Sequence, residues 1–152
     1  MSIKVIEEFH IVGISVRTTN EDGKSGIDIP KLWEVFLSEN IADKIPNKID
    51  SSIYCLYTDY EKDHLHPYTT ILGCKVENLS AIPASMVGKT ISSGQYETIP
   101  IKGELSEGLV FKEWQQIWAS DRARAYTTDF EVYFAKAPED GQNEVEINLA
   151  ID

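Results

Sequence analysis

The sequence predicts an α+β fold: two β-α-β-β units that share an antiparallel sheet, with two main helices and a central cleft. Three observations predict it. Strand-like and helix-like patterns run strand, helix, strand, strand over about residues 5–79, and the same order returns over about 86–152. Matching places carry similar residues, Lys31-Leu32-Trp33 against Lys112-Glu113-Trp114 and Tyr54-Cys55-Leu56-Tyr57 against Phe130-Glu131-Val132-Tyr133. The length of 152 residues and 42% hydrophobic content suit one domain with an ordinary core, so 1–152 reads as a single unit. A duplicated unit of this kind pairs its sheets about a pseudo-twofold axis, each helix covering its own half. The helices around Trp33 and Trp114 are therefore expected on one side of the sheet, and the junction is where a small-molecule pocket belongs.

Each element has a local reason. Phe9 to Thr18 is rich in β-branched residues and alternates imperfectly, which reads as a strand with a bulge at Gly13. After the loop that follows, Asp28 can cap a helix with Pro30 in its first turn, where a missing N–H does no harm. Leu32, Trp33, Phe36 and Leu37 share one face of that helix, and Asn40 is its stop. Ser52 to Thr58 and Tyr68 to Val76 read as paired strands around the charged loop between them. In the second half Lys89 to Ile91 and Gln95 to Ile101 are strand-like, with Pro100 marking an edge or a bend. Ser106 can cap a helix that carries Val110, Phe111, Trp114, Ile117 and Trp118 at helical spacing to about Asp121. Asp129 to Phe134 and Val145 to Ile151 are the closing strands, joined by a turn-rich stretch over 135–142.

Fourteen Lys and Arg against twenty-five Asp and Glu give a net charge of −11. Such a field repels phosphate backbones and anionic lipid headgroups, so neither direct nucleic-acid binding nor membrane association is expected. The N-terminal residues lack a basic and then apolar secretory pattern, and no stretch approaches a membrane span. Two cysteines, Cys55 and Cys74, are too few for a disulfide scaffold and fit a reducing cytoplasm. They read as buried thiols, although their place in adjacent strands leaves a hairpin redox pair open. Phosphate-loop, nucleophile-elbow and dinucleotide fingerprints do not occur. No cofactor is implied.

Among single residues Glu131 stands out, because an acid inside an otherwise apolar strand must be paired, neutral, or matched to a cationic ligand. Alternation places it with Asp129 and Tyr133 on one face and Phe130, Val132 and Phe134 on the other, so a solvated acidic face is the competing reading. Glu146 shares a face with Glu144 and Asn148, opposite Val145, Ile147, Leu149 and Ile151, and is open to the same two readings. Trp114 and Trp118 lie one turn apart, with Trp33 at the matching place in the first half. Aromatic residues at this spacing are usually core, yet beside a cleft they offer faces for stacking and cation–π contact. Tyr54, Tyr57, Tyr96 and Tyr133 are further candidate walls. His64 and His66 in the acidic loop match no closed zinc spacing, so the loop reads as solvated and no metal site is assigned.

The order and spacing of IPKLWEVF, SSIYCLYTDYE and YTTILGCKV, then FKEWQQIW, TTDFEVYF and VEINLAI, resemble the GyrI-like family from Phe9 to Ile151. That family holds the effector-binding domains of AraC-type and multidrug-sensing regulators together with single-domain proteins of the integron-associated cationic-drug-binding type. The resemblance implies a ligand-binding domain for a small, aromatic, cationic molecule, with no catalytic residue. It carries the acid that meets the cation in drug-binding members over to Glu131. In the last strand, Asn148 stands where family members often have an aromatic residue. Nothing before Phe9 can form the helix-turn-helix of the regulators, which favours a free-standing binder. Two other roles known in the family stay open: hydrolysis of reactive natural products by a pair such as Glu131 and Glu146, and engagement of a protein partner through an acidic surface, as in gyrase-inhibiting members.

Overall fold

The computed structural model describes residues 2–62, 66–103, 109–120, 124–134 and 143–151. Its strands are β1 (Ser2–Ile6), β2 (Phe9–Thr18), β3 (Ile53–Thr58), β4 (Tyr68–Val76), β5 (Val87–Ile91), β6 (Gly94–Gly103), β7 (Thr128–Tyr133) and β8 (Asn143–Ala150). The helices are α1 (Ser25–Ser38), the short α2 (Ile41–Lys44) and α3 (Leu109–Trp118). All eight strands join one antiparallel sheet in the order β1-β6-β8-β7-β3-β4-β2-β5, curled into a half-barrel with the two main helices.

Register decides which side chains meet. Ile99, Ile147, Glu131, Cys55 and Leu72 stand directly opposite one another across β6, β8, β7, β3 and β4. Side chains of one row share a face, and this face carries both helices. α1 packs Leu32 and Phe36 with Val12, Cys55 and Leu72. α3 packs Trp114 and Ile117 with Ile99, Ile147 and Leu149. The neighbouring row, Thr98, Asn148, Phe130, Leu56 and Ile71, points to the other face. There the curl closes over a second apolar cluster that includes Phe9, Ile11, Tyr54, Leu56, Tyr96, Phe130 and Val132.

Several sequence expectations need correction. β1 was not anticipated: Ile3 and Val5 are 63% and 70% exposed, and the strand exists through pairing with the distant β6. Gly13 forms no bulge, since β2 and β4 keep an unbroken register from His10↔Val76 to Thr18↔Tyr68. Its reason is close approach: Gly13 faces Gly73, and a Cβ on either would stand 2.1 Å from a carbonyl oxygen of the opposing strand. α1 starts at Ser25, so Asp28 lies inside its first turn and not at the cap; its carboxylate pairs with Lys24 at 2.7 Å. The lysine beside it holds the Asp28 carboxyl below its usual range. Pro30 lies within the helix, where it gives no N–H to the Gly26 carbonyl. Leu37 is 60% exposed, turned away from the buried Leu32 and Phe36. Asn40 ends α1 in the left-handed conformation with φ 51°, as its type favours. Pro100 is tolerated within β6 because β1 pairs only as far as Thr98. Cys55 opposes Leu72 and Cys74 opposes Val12, so the thiols are not cross-strand partners; both are free and buried. Ser106, Asp121, His64 and the turn over 135–142 lie outside the described residues.

Candidate functional site

α1 and α3 stand over the helix face of the sheet on either side of β3 and β7, and between them is a cavity of about 290 Å³. Its floor is Tyr57, Glu131 and Tyr133, and its walls include Trp33 and Pro30 from α1 and Val110, Trp114 and Trp118 from α3. Tyr60, Tyr68 and Arg124 close one side. The aromatic packing crosses between the halves: Trp33 meets Tyr133 at 4.7 Å between ring centroids, and Trp114 meets Tyr57 at 5.2 Å, both edge to face.

Glu131 occupies the middle of this floor and is 1% exposed. The solvated-face reading is thereby excluded. Its Oε2 accepts hydrogen bonds from Tyr57 OH at 2.9 Å and Trp114 Nε1 at 2.5 Å, and its Oε1 accepts from Tyr133 OH at 2.6 Å. Burial raises the carboxyl above its ordinary value, and the three donors, which favour the charged form, offset part of that rise. The tyrosine hydroxyls are pushed up as well, by burial and then by negative neighbours, so they remain protonated donors.

Asp129, two residues earlier on the same face, is equally buried but differently matched. It accepts from Arg124 Nη2 at 2.7 Å, Tyr60 OH at 2.5 Å and the Ala150 N–H at 2.8 Å. One strand thus carries an acid neutralised by a buried guanidinium and an acid whose hydrogen-bond partners are three neutral donors. Among the described residues, the second has no cationic partner for its charge when ionised.

Of the residues singled out from sequence, Glu131, Trp114, Trp118, Tyr57 and Tyr133 line the cavity together. Tyr54, Tyr96 and Glu146 do not. Val132 opposes both Tyr54 and Glu146, and the buried Tyr96 packs in the same cluster as Tyr54 and Phe130, so all three belong to the other face. Tyr54 there donates to Asp50 at 3.0 Å, and Glu146 lies 3.6 Å from Lys4. A water-activating pair of Glu131 and Glu146 is excluded by this geometry, since the sheet separates them. Tyr60, Tyr68 and Arg124 are cavity residues that sequence reading passed over, and Trp33 joins the two later tryptophans. Tyr60 and Arg124 lie in polar connecting stretches without periodicity; only the surplus of aromatic residues around the charged loop hinted at a buried role.

No group of His, Cys, Asp and Glu able to hold a metal ion, and no helix long and apolar enough to cross a membrane, lies among the described residues.

A model of the integron-associated effector-binding proteins, Cass2, matches residues 2–151. The crystal structure of an integron cassette protein from the mobile metagenome of Vibrio cholerae is 36% identical, with 99% of this chain and 95% of that chain covered and a TM-score of 0.78. SAV2435 bound to tetraphenylphosphonium is 15% identical, covering 99% of this chain and 93% of that one at a TM-score of 0.79. The C-terminal domain of EcmrR is 14% identical, covering 99% and 96% at a TM-score of 0.56. At these lower identities the likeness is one of fold. No curated protein sequence matches the chain. The family model spans nearly every residue and the cassette protein is alike over its whole length, so this chain belongs to the integron-associated effector-binding proteins of the GyrI-like fold.

Proposed function

We propose that the protein binds amphipathic aromatic cations in the cavity between α1 and α3, without chemical conversion. Glu131 supplies the charge, and Trp33, Trp114, Trp118, Tyr57 and Tyr133 supply the contact surface. The observation that carries this reading is the carboxylate at the bottom of an aromatic cavity, 1% exposed and held, among the described residues, by three neutral donors. A carboxylate so desolvated gains most from a ligand that brings the missing positive charge, and the surrounding rings present their negative faces to the same cation. The relative with tetraphenylphosphonium bound supports the ligand class.

We also read residues 1–152 as one binding unit built of two related halves about a pseudo-twofold axis. Exchanging β1 with β5, β2 with β6, β3 with β7 and β4 with β8 leaves the strand order unchanged. Cys55 and Glu131, matched between the halves by sequence, stand opposite each other at the seam. The paired contacts of Trp33 on Tyr133 and Trp114 on Tyr57 follow the same exchange.

Titration calorimetry with tetraphenylphosphonium and the neutral triphenylphosphine oxide tests the function. Glu131→Gln should weaken the cation by about 1.5–3 kcal/mol and leave the neutral compound little changed. Glu146→Gln, on the opposite face, should leave both unchanged. Equal affinity of wild type and Glu131→Gln for the cation would overturn the mechanism.

A further inference from the structure

Arg124 lines the cavity, yet the hydrogen bonding of its guanidinium is incomplete. The residue is 8% exposed, and its Nη2 is committed to Asp129 at 2.7 Å. Its plane is flanked by aromatic rings, with Cζ 4.4 Å from the centroid of Tyr126 and 5.8 Å from that of Trp114. Nε and Nη1 are shielded from solvent and have no acceptor among the described residues. A guanidinium carries five donors in a fixed plane, and buried donors in native proteins are nearly always satisfied. Asp129 does not reach these two: its Oδ2 receives Arg124 Nη2 and Tyr60, and its Oδ1 receives the Ala150 N–H. The neighbouring rings offer only their faces.

We propose that Arg124 is a specificity-determining residue of the ligand site, and that the preferred ligand carries a hydrogen-bond acceptor, a carboxylate or a carbonyl, in addition to its positive charge. The inference rests on the function proposed above and narrows it. The cavity then has two polar poles: Glu131 takes the cationic end, while Nε and Nη1 of Arg124 take the acceptor after a small local displacement of the groups that shield them. The apolar body of the ligand lies along Trp114, which touches both poles through its Nε1–H bond to Glu131 and its face toward Arg124. Charge balance agrees. Asp129 neutralises the guanidinium, so an uncharged carbonyl is accepted without electrostatic penalty, and a carboxylate would share the guanidinium with Asp129 in an alternation of five charges: Glu131, cation, anion, Arg124 and Asp129.

The probes are 1-methylquinolinium and a set of its derivatives bearing a carboxylate or a carboxamide at successive ring positions, titrated into the wild-type protein. At least one derivative should bind about tenfold more tightly than the parent. Gain with both substituents identifies a general acceptor pole, and gain with the carboxylate alone an anion pole; either supports the proposal. Arg124→Lys keeps a positive charge beside Asp129 but removes the planar donors, and should bring the ratio between derivative and parent close to one. Because this variant touches a buried ion pair, the wild type is also observed directly: the Nε–H resonance of Arg124 should shift with the tight derivative and not with the parent. If the parent binds in a manner that depends on Glu131 while every derivative binds no better, Arg124 is structural only and the proposal falls, with the cation reading intact. If neither the quinolinium series nor tetraphenylphosphonium binds, both readings fall.

Discussion

Two acids of one strand, Asp129 and Glu131, share a face and a degree of burial and differ in what surrounds them, a guanidinium beside the first and neutral donors around the second. Glu131 has its carboxyl raised above the ordinary 4.5 by burial. A raised folded value means that folding favours the protonated form. The stability this gives is full below the ordinary carboxylate value and is lost as pH rises through the folded one. Wild type should therefore lose stability relative to Glu131→Gln as pH rises from the ordinary carboxylate value through the raised folded one, measured as the difference in Tm between the two proteins across a pH series. An arriving cation reverses the preference. Wherever free Glu131 is partly protonated, binding should release protons, counted by calorimetry in buffers of different ionisation enthalpy. Tyr57→Phe and Tyr133→Phe each remove a donor to the carboxylate, which raises its pKa further and moves the window of proton release to higher pH. Unchanged proton release in both variants would show that these hydroxyls do not set the charge state. The presence of an acid in an apolar strand was legible from sequence, because its neighbours Phe130 and Val132 announce the core. Its company was not. Arg124 sits in a polar stretch without periodicity, and nothing local says that it turns inward to Asp129 and not to Glu131.

Among the elements, β2 and β4 show how a glycine pair sets the path of a sheet. Gly13 and Gly73 oppose each other where the two backbones approach too closely for any side chain. Gly13→Ala and Gly73→Ala should each destabilise the fold by at least about 3 kcal/mol in urea unfolding, since the obstacle is backbone and cannot swing aside. Gly94→Ala, whose added methyl meets nothing within 4 Å, should stay within about 0.5 kcal/mol. Equal effects at the three sites would remove the close-approach account. The sequence showed a glycine that interrupts a strand but not its partner, because register is a property of two segments far apart in the chain. The same limit hid the faces. Alternation grouped Glu131 with Tyr133 and Glu146 with Asn148 correctly, but both faces of this sheet are buried, so hydrophobicity gave no sign of which one carries the helices. Tyr54 and Tyr96 were placed beside the cleft for that reason. β1 escaped altogether, as five residues with one paired edge carry too little amphipathic pattern to be read without β6.

At the scale of the molecule, the order of the elements was the most legible feature, since it requires only the sequence of patterns and not their faces. The pairing of the outermost strands was not legible. β1 precedes the first half yet pairs with β6 of the second, and β5, leading into the second half, pairs with β2 of the first. Each half therefore has its rim completed by a segment covalently attached to the other. Pulling either half away strips a strand from its neighbour, and a chain divided between β4 and β5 yields two pieces that each hold the other's missing border. Such fragments should remain largely unfolded when produced separately and regain structure on mixing. The intact chain should melt in one step, with tryptophan emission from Trp33 on one side and Trp114 and Trp118 on the other following the same curve as backbone ellipticity. The crossed strands act as a mutual lock, under which neither half has a denaturation temperature of its own.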